Sequence, residues 1–160
     1  MAKRFHFRLD PLLKLRKKQE EEAQRALARA IEARQAQEAK LHALEEEHIR
    51  TLEYRRQSPG AEIDLSFWAH LERYLLVLEK RMIQAQEALR QAEQAVQEAR
   101  AALALAHQNH MMLVRLKERR REQHEQDILH EEIREADELS ILRFRPIPHF
   151  ASSSVSGGAL

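Results

Sequence analysis

The chain has 160 residues, of which 33% are charged and 5% aromatic, with only 3 Gly and 4 Pro. This composition excludes an ordinary globular domain, because a compact core needs larger apolar side chains than the many alanines supply, and it is typical of long helices or coiled coil. The net charge of +1 gives no general reason to expect a nucleic-acid or membrane-surface protein, and the lack of cysteine excludes disulfides and thiol chemistry.

The first predicted helix begins at Pro11. Asp10 is a favoured N-cap residue, proline is favoured at the first helical position, and the residue before a proline avoids the α region. The helix is predicted over about residues 11–57, because the next turn signal is Ser58-Pro59-Gly60. Its predicted seam mixes apolar and polar residues: Leu9, Leu13, Arg16, Glu20, Ala23, Leu27, Ala30, Arg34, Gln37, Leu41, Leu44 and His48.

The second predicted helix covers about residues 64–143. Asp64 is a plausible N-cap, and Ile63 and Trp68 occupy the positions of a hydrophobic staple. Its seam alternates steps of four and three residues over six heptads, which predicts a left-handed coiled coil. Its members are Leu71, Leu75, Leu78, Met82, Ala85, Leu89, Ala92, Val96, Ala99, Leu103, Ala106, His110 and Leu113.

The predicted fold is an all-α, antiparallel two-helix coiled-coil hairpin, because a short connection makes successive helices neighbours. Folding the chain about residue 61 places Pro11 beside roughly Met111, so the second helix overhangs by about 30 residues. The hairpin is predicted to cover residues 1–145. Residues 146–160, which contain two prolines and the run SSSVSGGAL, are predicted to form a disordered tail.

The overhang keeps an apolar stripe at helical spacing, which predicts a surface where a partner binds. The stripe consists of Leu129, Ile133, Ala136, Leu139 and Leu142. Only residues 1–10 are available to cover it. We therefore expect Phe5, Phe7, Leu9 and Leu12 to pack on Leu129, Ile133 and Ala136.

No pattern in the sequence predicts catalysis, a cofactor or a metal. A two-helix structure offers no dry cleft, and no glycine-rich phosphate loop occurs. His107 and His110 could share a helix face, but two imidazoles without a third ligand make a poor zinc site, so seam or solvated histidines are expected. Arg119, Arg120 and Arg121 could touch phosphate; nearby glutamates and the lack of interleaved aromatics favour a solvated face or an acidic protein partner.

The chain opens FHFRLDPLLKLRKKQEEEAQRALARA. This segment resembles the start of the FliJ family of flagellar type III export proteins, whose members often begin F-x-F-R-L-x-x-L-L-x-L-R, followed by acidic residues and A-Q-x-x-L-A. The segment at Tyr74-Leu75 and Leu78-Glu79 resembles the family's Y-L-x-x-L-E, and residues 135–139 resemble its terminal D-E-L-like segment. The resemblance covers about residues 1–145. The opening positions concerned are Phe5, Phe7, Arg8, Leu9, Leu12, Leu13, Leu15, Arg16, Ala23, Gln24, Leu27 and Ala28.

The resemblance implies a non-enzymatic stalk like that of rotary ATPases. Its terminal end would sit in the hexameric export ATPase FliI, beside the regulator FliH, and its hairpin region would contact the export-gate protein FlhA. Members also escort chaperones of late substrates. The gate contact falls on Tyr74 and Leu78, with Leu44 added, and its continuation falls on Arg81 and Ala85, which are poor substitutes for the family's residues. For the ring contact we expect Phe5, Phe7, Arg8, Leu9, Leu12, Arg119, Arg120, Arg121, Ile133 and Leu139.

Three other functions stay open at this point. The first is a generic structural coiled coil, such as a homo-oligomeric spacer, which light scattering would distinguish because the stalk function predicts a monomeric hairpin. A nucleic-acid-binding helical arm would show a steep salt dependence of binding. The stalk of a related injectisome is the closest variant. The stalk function implies a location at the cytoplasmic face of the inner membrane, without insertion into it.

Overall fold

The computed structural model describes residues 3–57, 64–144, 146 and 158. Within these residues the secondary structure consists of two helices, α1 over Asp10–Gln57 (48 residues) and α2 over Leu65–Arg143 (79 residues). The predicted all-α fold with two long, packed helices is therefore confirmed. The predicted turn at 58–63, which includes Ile63 of the staple, lies outside the described residues, as does nearly all of the predicted tail.

The chain divides into two compact units. The first, the hairpin unit, comprises Arg8–Arg115 and contains α1 with the first part of α2. The second, the terminal unit, comprises Met1–Phe7 and Leu116–Leu160 and contains the last part of α2. The proposed division into a hairpin over residues 1–145 and a tail over 146–160 stays a prediction.

Helix α1 begins one residue before the predicted start. The Leu13 N–H donates a hydrogen bond to the Leu9 carbonyl oxygen at 2.9 Å, so helical bonding already includes the turn that contains Asp10 and Pro11. Proline suits this position because its missing N–H would have no partner in the first turn.

Helix α2 is capped by Asp64, as predicted. One carboxylate oxygen of Asp64 accepts hydrogen bonds from the Ser66 N–H at 3.0 Å and from the Ser66 hydroxyl at 2.9 Å. These bonds, led by the one from the hydroxyl, hold the pKa of Asp64 below its usual range. The Trp68 N–H donates to the Asp64 carbonyl oxygen at 3.1 Å, which closes the first helical turn.

The seam between the helices of the hairpin unit follows the predicted positions. Every member of both predicted series is buried or half-buried, and Leu75, Leu78, Ala85 and Val96 are buried. Thr51, one step beyond His48 in the α1 series, is also buried, and its hydroxyl donates to the Glu47 carbonyl oxygen at 2.8 Å. Position along the heptad, more than polarity, therefore decides which α1 residues face α2.

Two ladders of side-chain pairs fix the antiparallel register of the hairpin unit. In one, Glu47 and Tyr54 of α1 contact Tyr74 and Phe67 of α2. In the other, His48 and Arg55 of α1 approach Glu79 and Glu72 of α2. The partners in each ladder are spaced by one heptad on both helices, as expected for a 3.5-residue repeat. The alignment of the two helices expected from folding the chain about residue 61 lies between the alignments that the two ladders show.

Candidate partner-binding surfaces

The N-terminal segment of the terminal unit, residues 3–7, packs along α2. Phe7 is buried, with 3% of its surface exposed, and the Lys117 ammonium lies 5.9 Å from the centre of its ring. The rings of Phe5 and His124 are 5.6 Å apart at 45°. His124 donates from Nε2–H to the Lys3 carbonyl oxygen at 2.8 Å, because a carbonyl can only accept. Aromatic, cationic and hydrogen-bonding contacts thus hold both ends of the segment.

The predicted position of these aromatic side chains on α2 is wrong. Phe5 and Phe7 contact His124 and Lys117, not the stripe at Leu129, Ile133 and Ala136. The chain's reach explains the difference, because five extended residues span at most about 17 Å, which equals roughly 11 residues of helix. Phe7 and Phe5 therefore lie beside Lys117 and His124, both before Leu129, and only Lys3 reaches the depression beside Ile128 and Glu131.

The apolar stripe of α2 consequently remains exposed in the terminal unit. Two of its members, Ile133 and Leu139, belong to the predicted ring contact. The flanking residues are mostly acidic, and the basic run Arg119–Arg121 lies exposed nearer the start of the unit. Such a face is one that a partner helix or a groove can cover. The exposed fractions are 55% for Leu129, 50% for Ile133, 54% for Leu139 and 80% for Leu142.

A surface depression beside the N-terminal segment is strongly acidic. Lys3 contributes the opposite charge, and its attraction to the surrounding carboxylates favours the observed direction of the segment along α2. The depression is lined by Lys3, His124, Asp127, Ile128, Glu131, Glu132 and Glu135.

Two successive grooves run along one side of the hairpin unit, which we call the tyrosine side. On α1 their lining residues continue one another in steps of three and four, and on α2 Tyr74 and Arg81 are one heptad apart, so the grooves share a face. Leu44, Arg81 and Ala85 line the second groove, whereas Tyr74 lines the first. The first groove is lined by Glu47, Arg50, Thr51, Tyr54, Phe67, Leu71 and Tyr74, and the second by Gln37, Lys40, Leu44, Arg81, Gln84, Ala85 and Ala88.

Tyr74 is a surface residue of the tyrosine side. Its side chain is held at 40% exposure by a hydrogen bond from its hydroxyl to a Glu47 carboxylate oxygen at 3.1 Å. This bond raises the pKa of Tyr74, because ionising the hydroxyl would lose the bond, and burial and the Glu47 charge add to the rise. Tyr54 and Phe67 meet edge to face nearby, with 6.1 Å between ring centres.

Leu78, the other principal residue of the predicted gate contact, is not on the surface. Only 1% of it is exposed, because its position in the α2 seam points it towards α1. A partner could therefore contact Leu78 only after the two helices separate, and its part in a gate contact stays a prediction. Glu47 and Tyr54 were not predicted from the sequence. Aligning the two helices antiparallel from the turn, one heptad at a time, would have placed them opposite Tyr74 and Phe67.

A polar cluster occupies the seam of the hairpin unit far from the turn. The two carboxylate oxygens of Glu20 accept hydrogen bonds from His107 Nδ1 at 2.7 Å and from His110 Nδ1 at 2.5 Å. The Glu20 and His110 side chains are 13% and 18% exposed. Both imidazoles bind the Glu20 carboxylate directly, and no group of residues in the described part of the chain is arranged to hold a metal ion. The cluster therefore acts as a structural link between the helices.

The acid stability of the hairpin unit is expected to depend on Glu20. Its pKa lies below its usual range, chiefly because His107 donates a hydrogen bond to it, with a further bond from His110, although burial opposes the shift. Ionised Glu20 thus contributes stability above its unfolded pKa of about 4.3, and that contribution is lost as the pH falls through the lower folded-state value. We expect the Tm of the wild type minus that of Glu20→Gln to be larger at about pH 6 than at about pH 3.

Glu22→Gln is the matched control for this measurement, because Glu22 is exposed on the same helix. Its Tm difference from the wild type should stay nearly constant over the same range. If the Glu20→Gln difference is equally constant, Glu20 has no acid-sensitive role.

Comparison with known protein families gives a match. Neither helix has a stretch in the described residues that is both long and apolar enough to cross a membrane. No curated protein and no solved structure matches the chain. A family model described as "Flagellar FliJ protein" matches residues 5–146, which include α1, α2 and the aromatic N-terminal segment. The chain therefore belongs to the FliJ family of flagellar export proteins.

Proposed function

We propose that this protein is the central stalk and chaperone-escort subunit of a bacterial flagellar type III export ATPase complex, without catalytic activity of its own. It promotes assembly of the hexameric ATPase FliI with its regulator FliH and couples the ring to the export-gate protein FlhA. It acts in the cytoplasm, at the inner-membrane face of the flagellar base, and it also escorts chaperones of late substrates. Family membership is the starting point of this proposal.

The observation that carries the proposal lies in the terminal unit. The N-terminal segment and the last part of α2 pack together there, yet Leu129, Ile133 and Leu139 keep half or more of their surface exposed. A pair of chain ends with an uncovered apolar stripe and the basic run Arg119–Arg121 has the chemistry needed to bind inside a ring of subunits. Phe5 and Phe7 serve this contact indirectly, because they hold the segment on α2.

The gate contact is proposed for the tyrosine side of the hairpin unit. Tyr74 supplies a partly exposed aromatic ring, and tyrosine is a frequent anchor of interfaces. Leu44 adds a half-buried apolar group in the neighbouring groove, beside Arg81 and Ala85. Leu78 supports this side from beneath by holding α2 against α1.

Stimulation of the purified export ATPase tests the ring contact. Two variants are compared with the wild type: the double variant Ile133→Asp, Leu139→Asp, and a chain lacking residues 1–10. We expect each to stimulate ATP hydrolysis roughly tenfold less than the wild type. The first would bury carboxylates in the apolar contact, and the second would lack the segment that packs on α2. Stimulation is measured as initial rate against stalk concentration, at matched ATPase concentration.

The double variant Glu98→Asp, Glu118→Asp controls for substitutions on the exposed surface of α2, and circular dichroism checks that helicity is retained. Undiminished stimulation by both test variants would remove the basis for the proposed ring contact.

A generic spacer is distinguished by light scattering, since the stalk function requires the mass of one chain and a homo-oligomeric spacer requires more. Whether the system is flagellar or an injectisome can be checked from neighbouring genes.

A further inference from the structure

The last part of α2, in the terminal unit, carries an unbalanced negative charge. We call residues 127–142 the acidic end. It contains six carboxylates and one arginine, Arg134, which leave a formal charge of −5 when His130 is neutral. All six carboxylates lie on exposed residues, and none has an ion-pair partner within 4 Å among the described residues. The six are Asp127, Glu131, Glu132, Glu135, Asp137 and Glu138.

The negative charge lies on both sides of the exposed apolar stripe. At about 100° per residue, Glu132 and Asp137 lie on opposite sides of Ile133, because they come one residue before it and four residues after it. Counted around the helix from Ile133, the side of Asp137 holds four carboxylates and Arg134. The side of Glu132 holds the other two carboxylates, and no Lys or Arg lies on it between residues 122 and 142. Carboxylates therefore outnumber cations on each side.

The N-terminal segment shows what kind of chain packs on α2 in this unit. Residues 3–7 place two aromatic side chains on the helix, and Lys3 lies in the depression lined by the first carboxylates of the acidic end. Aromatic groups thus supply the apolar contact while a cation offsets carboxylate charge. The segment leaves Ile133 at 50% and Leu139 at 54% exposure, so most of the acidic end keeps both its stripe and its charge available.

The acidic end therefore matches a partner of opposite charge. Its stripe extends over about 20 Å of helix in steps of three and four residues, a pattern against which a second amphipathic helix packs. We propose that the acidic end binds a helix whose own apolar stripe is flanked by Lys or Arg. This inference deepens the proposed ring contact: the ring as the source of the helix rests on the proposed function, whereas the cationic chemistry of the helix rests on the charge of α2.

Binding of two synthetic helical peptides tests the proposal. Both peptides carry the same leucine stripe, but one has Lys and the other Glu at the flanking positions. By fluorescence anisotropy with the full chain, we expect the Lys peptide to bind roughly tenfold more tightly than the Glu peptide at low salt. The difference should shrink at high salt, because added ions screen exposed charges.

Two double variants separate the charge from the apolar stripe. Glu132→Lys, Asp137→Lys changes the formal charge of the acidic end from −5 to −1, because each substitution replaces a negative charge by a positive one. It should reduce the preference for the Lys peptide to about twofold or less. Ile133→Gln, Leu139→Gln keeps the charge and removes the apolar contact, so it should weaken binding of both peptides roughly tenfold.

The control variant Glu22→Lys, Glu53→Lys makes the same charge change at two exposed positions of α1 and should keep the preference for the Lys peptide. Circular dichroism checks that each variant keeps its helicity. A lack of peptide binding, or a preference that survives Glu132→Lys, Asp137→Lys, overturns the proposal. So does a preference that the α1 control also loses, because the charge of the whole chain would then select the peptide.

Other occupants of the acidic end give different results. If a chain ending at residue 145 binds the Lys peptide much more tightly than the full chain, the segment after residue 145 is the occupant, and the proposal is overturned. Self-association by light scattering that Ile133→Gln, Leu139→Gln removes identifies a second copy as the occupant and also overturns it. Failure of the peptide test while Ile133→Asp, Leu139→Asp still lowers ATPase stimulation would overturn only the cationic helix and leave the ring contact in place.

Discussion

Leu78→Ala is expected to destabilise the hairpin unit by about 2–4 kcal/mol, because it deletes a side chain that is 1% exposed and leaves a cavity between two helices with few alternatives for repacking. This loss is a large part of the few kcal/mol by which most domains are stable. Urea unfolding followed by circular dichroism measures it directly, and the midpoint concentration should fall without a large change of slope.

Leu76→Ala is the matched control, because it makes the same chemical change two residues away on the same helix. Leu76 is 64% exposed, so its truncation should change the unfolding free energy by no more than about 0.5 kcal/mol. Equal effects of the two substitutions would show that the seam does not follow the register described for Leu78.

The burial of Leu78 changes how a gate-binding variant should be interpreted. A substitution there that weakens binding to the gate acts first on the packing of α1 against α2. Tyr74 is partly exposed and donates only one hydrogen bond, to Glu47, so Tyr74→Ala reports on the contact itself. The two residues are neighbours in the family pattern, but they belong to different layers of the hairpin unit.

The fold was predictable because helix caps, turn signals and the spacing of apolar residues are local properties of the sequence. Asp64 caps α2 as its residue type suggests, and the seam positions follow steps of three and four regardless of polarity. Even Glu20 and Arg34 take seam positions, although each has one apolar and one polar neighbour in the seam series. The phase of the heptad is set by the whole series and is not altered by single polar members.

The contacts of the candidate site were less predictable because they depend on reach and on pairing between distant residues. The sequence indicated that the aromatic segment would cover α2, but the distance from Phe7 to Lys117 fixed where it lies. The partnership of Glu20 with His107 and His110 needs the register of both helices to within one turn. The pairing of Tyr74 with Glu47 needs the same information.

Polar seam residues limit the stability of the hairpin unit while they specify its register. The Arg34 Nε atom is buried without a hydrogen-bond partner in the described structure, and His48 Nε2 lies 3.6 Å from Glu79, beyond hydrogen-bond distance. Such groups cost free energy relative to apolar residues. A shifted register would separate Glu20 from both histidines, so the cluster favours one alignment over its neighbours. Leu75, Leu78, Ala85 and Val96 therefore carry much of the packing energy.

Phe7→Ala is expected to release the N-terminal segment from α2 while the hairpin unit stays folded. Truncating a phenylalanine with 3% exposure costs about 3 kcal/mol, which corresponds to a more than 100-fold rise in the population of the detached state. Trypsin cleavage after Lys3, Arg4 and Arg8, followed by mass spectrometry of the N-terminal fragments, should therefore accelerate roughly 100-fold when detachment is fast relative to cleavage.

His6→Ala is the control for this experiment, because His6 is exposed between the two aromatic anchors and its removal should leave the cleavage rate nearly unchanged. Phe5→Ala should give an intermediate acceleration, since Phe5 is half-buried and its ring contact is with His124 alone among the aromatic groups described. If Phe7→Ala and His6→Ala are cleaved at the same rate, Phe7 is not the anchor. If Phe7→Ala is cleaved faster and also stimulates the export ATPase less, the attached segment is required for the ring contact as well as for the packing of the terminal unit.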